Sequence, residues 1–351
     1  MNSAAFVNPL PGVPSIESPF FDALFADAAP TTYAIAMQLR TQGFAVIEFP
    51  EPEFEAMAES IKADLQPRYE ADDWQQYREG TNSSLRLQDA WQFNQQVKQI
   101  ACNPLILALL TRLYGKRVMP FQTLNFPVGT QQHFHTDSIH FSSMPERFMC
   151  GVWVALEDIT PENGPLLYYP GSHRWPIYTN EHIGQCVSGL QQKPTQALYQ
   201  DMWQALVDAN GAKPQQFLAK KGQALIWAAN LMHGGSPQIN RDATRWSQVT
   251  HYFFENCAYY TPMLSDPFYG QIDFRELVNI ETGEPMRHHY AGHPIPPTFI
   301  AATNPETREW EHEFDPDLYL AANPDVAQAG DNPFEHYLRH GRYERRRLRP
   351  E

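Results

Sequence analysis

The sequence predicts a mainly β fold with helical support (α+β): an antiparallel sandwich or barrel braced by N-terminal helices. Three observations predict it. Helical periodicity is concentrated before about residue 115. From about 117 the chain turns into short runs rich in β-branched and aromatic residues, separated by Pro, Gly and Asn. The 30 prolines in 351 residues favour strands and loops over a helical bundle.

The elements follow in order. Residues 1–30 are Pro-rich and irregular. TTYAIAMQLRTQ reads as a helix closed by Gly43, with a strand at 44–49. EFEAMAESIKADL spaces Phe54, Met57, Ile61 and Leu65 as a helix would. In NPLILALLTRLYG, Asn103 caps, Pro104 suits the first turn and Gly115 follows the end, so a buried helix is expected. RVMPFQTLNF, FMCGVWVAL, PLLYYP, QALIWAA and SQVTHYFF then read as strands, with TQALYQDMWQALVDANG as a helical insertion. Residues 261–312 are loop-like, and 313–351 return to short helical pieces. Four units are therefore expected: an irregular segment (1–30), a main domain (31–260), a loop-rich extension (261–312) and a small helical module with a basic end (313–351). No period of 20–50 residues marks a solenoid.

Forty acidic against 26 basic residues give a net charge of −14, which weighs against nucleic-acid or anionic-membrane binding. Cys102, Cys150, Cys186 and Cys257 form no C-x-x-C pair and read as buried small hydrophobes. The N-terminus lacks the basic and apolar regions of a signal peptide, and no run of about 18 apolar residues can span a membrane. A cytoplasmic location with reduced thiols is the expectation.

The stretch QQHFHTDSIHF, residues 131–141, packs His133, His135, Asp137 and His140 into eight positions. On a strand, His133, His135 and Asp137 can share one face. His133-x-His135 suits a cupin-like site, but Ile139 and His140 occupy the region where a glutamate would then be wanted. His135-x-Asp137 suits a two-histidine, one-carboxylate triad for non-haem iron. The triad needs a distant histidine, and His233 follows a hydrophobic strand in a Gly-rich turn. Twelve residues later comes Arg245, on the same strand face as Ser247 and Val249. An arginine inside an apolar barrel must find an anion, and its planar fork matches a carboxylate. A co-substrate acid that chelates iron and pairs with Arg245 meets both demands, and 2-oxoglutarate is of that type.

In order, the His-x-Asp pair, VWVALEDITPENGPLLYYPGSHR and then HGGS…N…R resemble the phytanoyl-CoA dioxygenase family of iron(II)/2-oxoglutarate oxygenases, over roughly residues 30–260. The resemblance implies a double-stranded β-helix, or jelly roll, with cofactors Fe(II), 2-oxoglutarate and O2. It implies iron ligation by His135, Asp137 and His233, and co-substrate binding by Arg245. Ser236 takes the place of the family's hydroxyl after the distal histidine, and Asn125 and Trp153 match positions that line the co-substrate pocket. One departure is visible. The family commonly has HGS where this chain has HGGS, an extra glycine expected to widen the turn and bearing on the Ser236 assignment. Halogenases on this fold replace the carboxylate with a small residue, so Asp137 favours hydroxylation.

Other readings are weighed beside this one. A cupin-like enzyme without 2-oxoglutarate would use His133, His135 and His233. A glycan-binding barrel would bind without catalysis. His140 reads as substrate-facing or packed, His173 as support for a turn, and His288, His289 and His293 as solvated. SSMPERF and the 176–220 insertion are candidate lids. The arginines at 342, 345, 346, 347 and 349 read as a solvated basic face. The preceding FDPDLYLAANPDVAQAGDNPFEHYLRHGR resembles a helical module appended to bacterial glycosyltransferases, which hints at a docking partner. The substrate is expected to be a small molecule or to be glycan- or lipid-related.

Overall fold

The structure is a computed structural model that describes residues 6–80, 85–186, 195–303, 314–330, 332–341 and 346–350. Arg342 and Arg345 lie outside the described residues. The helices before the insertion are α1 Phe21–Leu24, α2 Pro30–Gln42, α3 Phe54–Leu65, α4 Ala71–Glu79, α5 Gln95–Ala101 and α6 Pro104–Tyr114. The helix α7 spans Thr195–Asn210. The strands are β1 Phe44–Glu48, β2 Leu87–Gln88, β3 Val118–Phe126, β4 Ser142–Met144, β5 Met149–Ala155, β6 Leu166–Tyr168, β7 Gln215–Phe217, β8 Gln223–Ala228, β9 His233–Gly235, β10 Ser247–Phe254 and β11 Ala258–Tyr260.

Six strands form one sheet in the order β1-β8-β5-β10-β3-β2, every pair antiparallel. A second antiparallel sheet runs β7-β6-β9, and β11 pairs with β4. The two larger sheets share an apolar layer that includes Phe126, Trp153, Leu166, Tyr168, Phe217, Leu225 and Val249. The outer face of the large sheet packs against the helices through a second core, with Leu39, Ile61, Ile100, Leu110, Ile226 and Phe253 buried in it. Both faces of β5 and β10 are therefore covered, and each is buried at every position.

Local signals set the helix ends. Asn103 accepts from the Leu105 and Ile106 N–H groups, and Gly115 closes α6 at φ 75°. One face of α6 is buried, but Leu105 is 62% exposed, so the helix lies on the surface of the core. Gly43 closes α2 at φ 85°, and a Cβ there would fall 2.6 Å from the His173 ring. That ring reaches the Arg40 carbonyl through Nε2 at 3.2 Å, tying the PGSH turn to the end of α2.

Two expectations change. The first thirty residues carry α1 and bury Ile16, Phe21 and Phe25 in the main core. The segment SSMPERF is no lid: Ser142–Met144 is a paired strand and Phe148 is fully buried. Residues 261–303, largely outside regular elements, are anchored to the body: Ile280 donates to the Pro120 carbonyl and Met286 joins the core. At the C-terminus, short helices at Pro316–Ala322, Pro324–Ala329 and Pro333–His336 bury Tyr319, Val326 and Tyr337 in a core of their own. No helix among the described residues is long and apolar enough to cross a membrane.

Candidate active site

His135, Asp137 and His233 converge, with one donor atom from each lying within 4.8 Å of the other two, and all three are buried. Asp137 Oδ1 is 3.7 Å from His135 Nε2 and 3.8 Å from His233 Nε2. The local geometry differs from the strand expected for 133–137. His135 forms a single antiparallel bridge with His233, each N–H donating to the other's carbonyl at 2.8 and 2.9 Å. Asp137 then opens a short 3-10 turn, Asp137–Ile139. Two backbone contacts orient the rings: His135 Nδ1 lies 3.0 Å from the His133 carbonyl, and His233 Nδ1 lies 3.0 Å from the Leu231 carbonyl. Each Nδ1 is therefore the protonated nitrogen and each Nε2 lone pair faces the gap.

The close approach explains HGGS. A Cβ on Gly234 would lie 2.8 Å from the Gln132 carbonyl and from Phe134 Cα, and one on Gly235 would lie 2.7 Å from the Gln131 nitrogen. The extra glycine does not widen a turn. It belongs to β9, which runs against the 131–135 segment too closely for any side chain.

Asp137 is held from its other oxygen, Oδ2, by the Trp227 indole N–H at 2.8 Å. Burial opposes ionisation of Asp137, but the His233, His251 and His135 rings and the Trp227 N–H outweigh it, and its pKa falls below the ordinary value. Burial, with His233 beside it, pushes His135 down to about 3, so its ring is neutral and ready as a donor. Gly151 makes the Trp227 position possible, since a Cβ there would sit 2.1 Å from the indole.

The donors lie in a cavity of about 480 Å³. Arg245 lines it, 2% exposed, with its guanidinium 5.5 Å from the Trp153 ring centre. Among the described residues its Nε and Nη1 find no hydrogen-bond partner, and Nη2 reaches the Val128 carbonyl at 3.4 Å. Burial pushes its pKa down to about 10. A buried, under-bonded cation facing a cavity is a receptor for an anion.

A family model described as phytanoyl-CoA dioxygenase (PhyH) matches residues 39–245, well over half of the chain. The chain belongs to the phytanoyl-CoA dioxygenase family. The peroxisomal phytanoyl-CoA dioxygenase of Rattus norvegicus is 24% identical over 182 residues, 50% of each chain. The chain thus spans about half the length of the curated relative it matches. Among solved structures, the non-heme alpha ketoglutarate dependent epimerase SnoN from nogalamycin biosynthesis covers 76% of this chain and 95% of its own, at 19% identity and a TM-score of 0.51. The carbocyclase SnoK from nogalamycin biosynthesis covers 75% and 95%, at 16% identity and a TM-score of 0.51. At such identities these two show a shared fold.

The phytanoyl-CoA dioxygenase domain does not bring every expected residue to the cavity. Trp153 lines it, whereas Asn125 and Ser236 do not. Asn125 pairs in register with Gln248 and donates to its side chain, on the sheet face opposite Leu124 and Val249, which do line the cavity. Ser236 instead accepts a hydrogen bond from Gln216. His133, half-buried, is not part of the converging set, and its Nδ1 lies 2.8 Å from the Phe134 carbonyl. His140 lines the cavity. His288 is buried rather than solvated, accepting from the Tyr259 N–H. In the 176–220 insertion, α7 is packed and not loose: Tyr199 and Trp203 are buried, and Trp203 lies 6.1 Å from the His135 ring.

Sequence reasoning missed six contributors. His251 brings Nε2 to 4.0 Å from Asp137 Oδ2 and Nδ1 to 2.9 Å from Gln122 Oε1. Alternation from Arg245 through Ser247 and Val249 pointed to it. Trp227 lies in QALIWAA, a run whose composition reads only as strand. Residues 261–303 supply Thr261, Met263, Leu264 and Arg275 to the cavity wall, and no local pattern announces that.

Proposed function

We propose that the chain is an iron(II)- and 2-oxoglutarate-dependent oxygenase that hydroxylates a C–H bond of a small molecule, releasing succinate and CO2. One observation carries the reading: Arg245 is buried and under-bonded in the same cavity as a His–Asp–His donor set. We read the two sheets that share the apolar layer as the halves of a double-stranded β-helix. The catalytic unit is taken to extend past residue 260, because Thr261, Met263, Leu264 and Arg275 wall the cavity.

Held by His135, Asp137 and His233, iron(II) with 2-oxoglutarate and O2 would supply the oxidising chemistry. The chain's own residues bind and orient. His135 and His233 offer Nε2, because the His133 and Leu231 carbonyls occupy each Nδ1–H. Asp137 offers Oδ1, because Trp227 occupies Oδ2. These three donors would hold iron(II) as a two-histidine, one-carboxylate set, a ligand set suited to co-substrate and O2 binding. Arg245 would hold the distal carboxylate of 2-oxoglutarate through its fork, with Trp153 alongside. Leu124, Phe126, Leu166 and Val249 make that end of the cavity apolar and keep water from it. A carboxylate at Asp137 favours hydroxylation over halogenation.

The test is anaerobic titration with iron(II) and 2-oxoglutarate, read by the visible charge-transfer band of the chelate. The band is expected in the wild type and weakened or lost in Arg245→Ala. Its absence from folded, iron-loaded wild type would refute the reading. Turnover that survives loss of Arg245 without 2-oxoglutarate would favour the cupin-like alternative.

A further inference from the structure

We propose that the substrate carries a hydroxyl group on or beside the carbon that is oxidised, and that Gln122 and His251 seat that hydroxyl. The inference rests on the oxygenase reading above. Strand register separates the two ends of the cavity. Gln122, Leu124 and Phe126 line it from β3, and Val249 and His251 line it from β10. His251 lies opposite Gln122, Val249 opposite Leu124 and Ser247 opposite Phe126. The Arg245 N–H donates to the Pro127 carbonyl, so the ladder continues to Arg245. Between Arg245 and His251 run roughly 20 Å of extended chain. A diacid held by Arg245 lies along the Leu124 and Val249 stretch, and Gln122 and His251 stand at the far end of the wall.

The pair at that end is already oriented. The His251 ring is buried, 6.0 Å from Phe121, 5.0 Å from Phe141 and 6.0 Å from Trp227, which meets it edge-on at 90°. Its Nδ1 lies 2.9 Å from Gln122 Oε1. The amide oxygen can only accept, so Nδ1 carries the proton; in a ring this buried Nε2 is left as an unprotonated acceptor. Nε2 is 4.0 Å from Asp137 Oδ2, beyond hydrogen-bonding distance, and that oxygen already accepts from Trp227. Gln122 spends its oxygen on the ring and keeps its amide NH2 as a donor. An acceptor beside a donor matches a hydroxyl, which donates through its hydrogen and accepts through its oxygen. A carboxylate or phosphate would set its charge against the Nε2 lone pair. The carboxylate oxygen so near Nε2 belongs to an iron-binding residue. A hydroxyl seated at Nε2 therefore brings its own carbon, or the adjoining one, to the donor gap. A polar group this close to the reacting carbon fixes which C–H bond is presented.

The experiment loads the protein anaerobically with iron(II) and 2-oxoglutarate, then adds small alcohols, diols and methyl glycosides. Each is paired with its O-methyl ether, which accepts but no longer donates, and with its deoxy analogue, which does neither. The readouts are the chelate band and the melting temperature. Some hydroxyl compounds are expected to perturb both at millimolar concentration, their ethers and deoxy partners much less. Gln122→Met is expected to keep the chelate band and the affinity for 2-oxoglutarate but to weaken the responding alcohol roughly tenfold. His251→Gln, which retains a polar group within reach of the Nε2 position, is expected to keep part of the response that His251→Phe loses. The assignment is overturned if no alcohol responds, or if ethers or deoxy partners respond equally; the wild type alone decides both. It is also overturned if Gln122→Met binds the alcohol like wild type, or if that variant loses 2-oxoglutarate affinity, which would give the pair to the co-substrate. Loss of the chelate band in wild type would instead overturn the oxygenase reading.

Discussion

Replacing Arg245 with methionine separates the cost of the buried guanidinium from its use. Burial brings its pKa from 12.5 down to about 10. At ~1.4 kcal/mol per tenfold, this is a destabilisation of roughly 3 kcal/mol. Below pH 10 the group is charged in both folded and unfolded chains, so the penalty is constant over the working range. Methionine fills the space of the stem and removes the charge. Ligand-free Arg245→Met is therefore expected to be the more stable protein, by roughly 4 °C in melting temperature at about 2 cal/mol/K of unfolding entropy per residue. With iron(II) and a hundredfold excess of 2-oxoglutarate over its dissociation constant, wild type should gain about 2.7 kcal/mol and the variant almost nothing, so the gap nearly closes. Differential scanning calorimetry under argon measures both halves. A ligand-free variant several degrees less stable, or one that 2-oxoglutarate stabilises as it does wild type, refutes the reasoning.

Other expectations follow from the same geometry. Trp227→Phe deletes the N–H that holds Asp137 Oδ2, and iron(II) affinity should fall about 10- to 100-fold, measured by competition with a chromophoric chelator. Gly234→Ala forces a Cβ to within 2.8 Å of the Gln132–Phe134 backbone; urea unfolding should show a loss of about 1–3 kcal/mol, and iron binding should weaken with it. His135 sits at about 3, and His173 and His251 at about 4, all held low first by burial. Below about pH 6.5 the unfolded chain takes up these protons and the folded chain does not. Metal-free stability should therefore fall between about pH 6.5 and 4, by up to ~1.4 kcal/mol per pH unit for each group. A flat melting temperature across that window would contradict the burial of these rings.

Where signals are local, the sequence was readable. SQVTHYFF spans β10 residue for residue, and Gly43 and Asn103 end and begin helices by backbone geometry and capping that neighbouring residues determine. The convergence of His135, Asp137 and His233 was legible because chemistry this dense has few structural uses. The placement of Asn125 turns on parity. Along β3, Asn125 and its neighbour Phe126 are both buried although they face opposite ways, so hydrophobicity does not reveal the cavity side; register against β10 decides it. The contribution of residues 261–303 was illegible for a different reason. Arg275 reaches the site only because the chain returns after β11 and lies against Phe141, a contact that no periodicity encodes.

The mutual hydrogen bonds between His135 and His233 have a consequence for how such a chain can change. The two donors are fastened to each other's main chain, while Asp137 follows within the same short turn. The insertion is not independent of this pair either, since α7 buries Trp203 6.1 Å from the His135 ring. A shift of backbone at one histidine is therefore passed to the other, and the donor set can drift in sequence only as a unit.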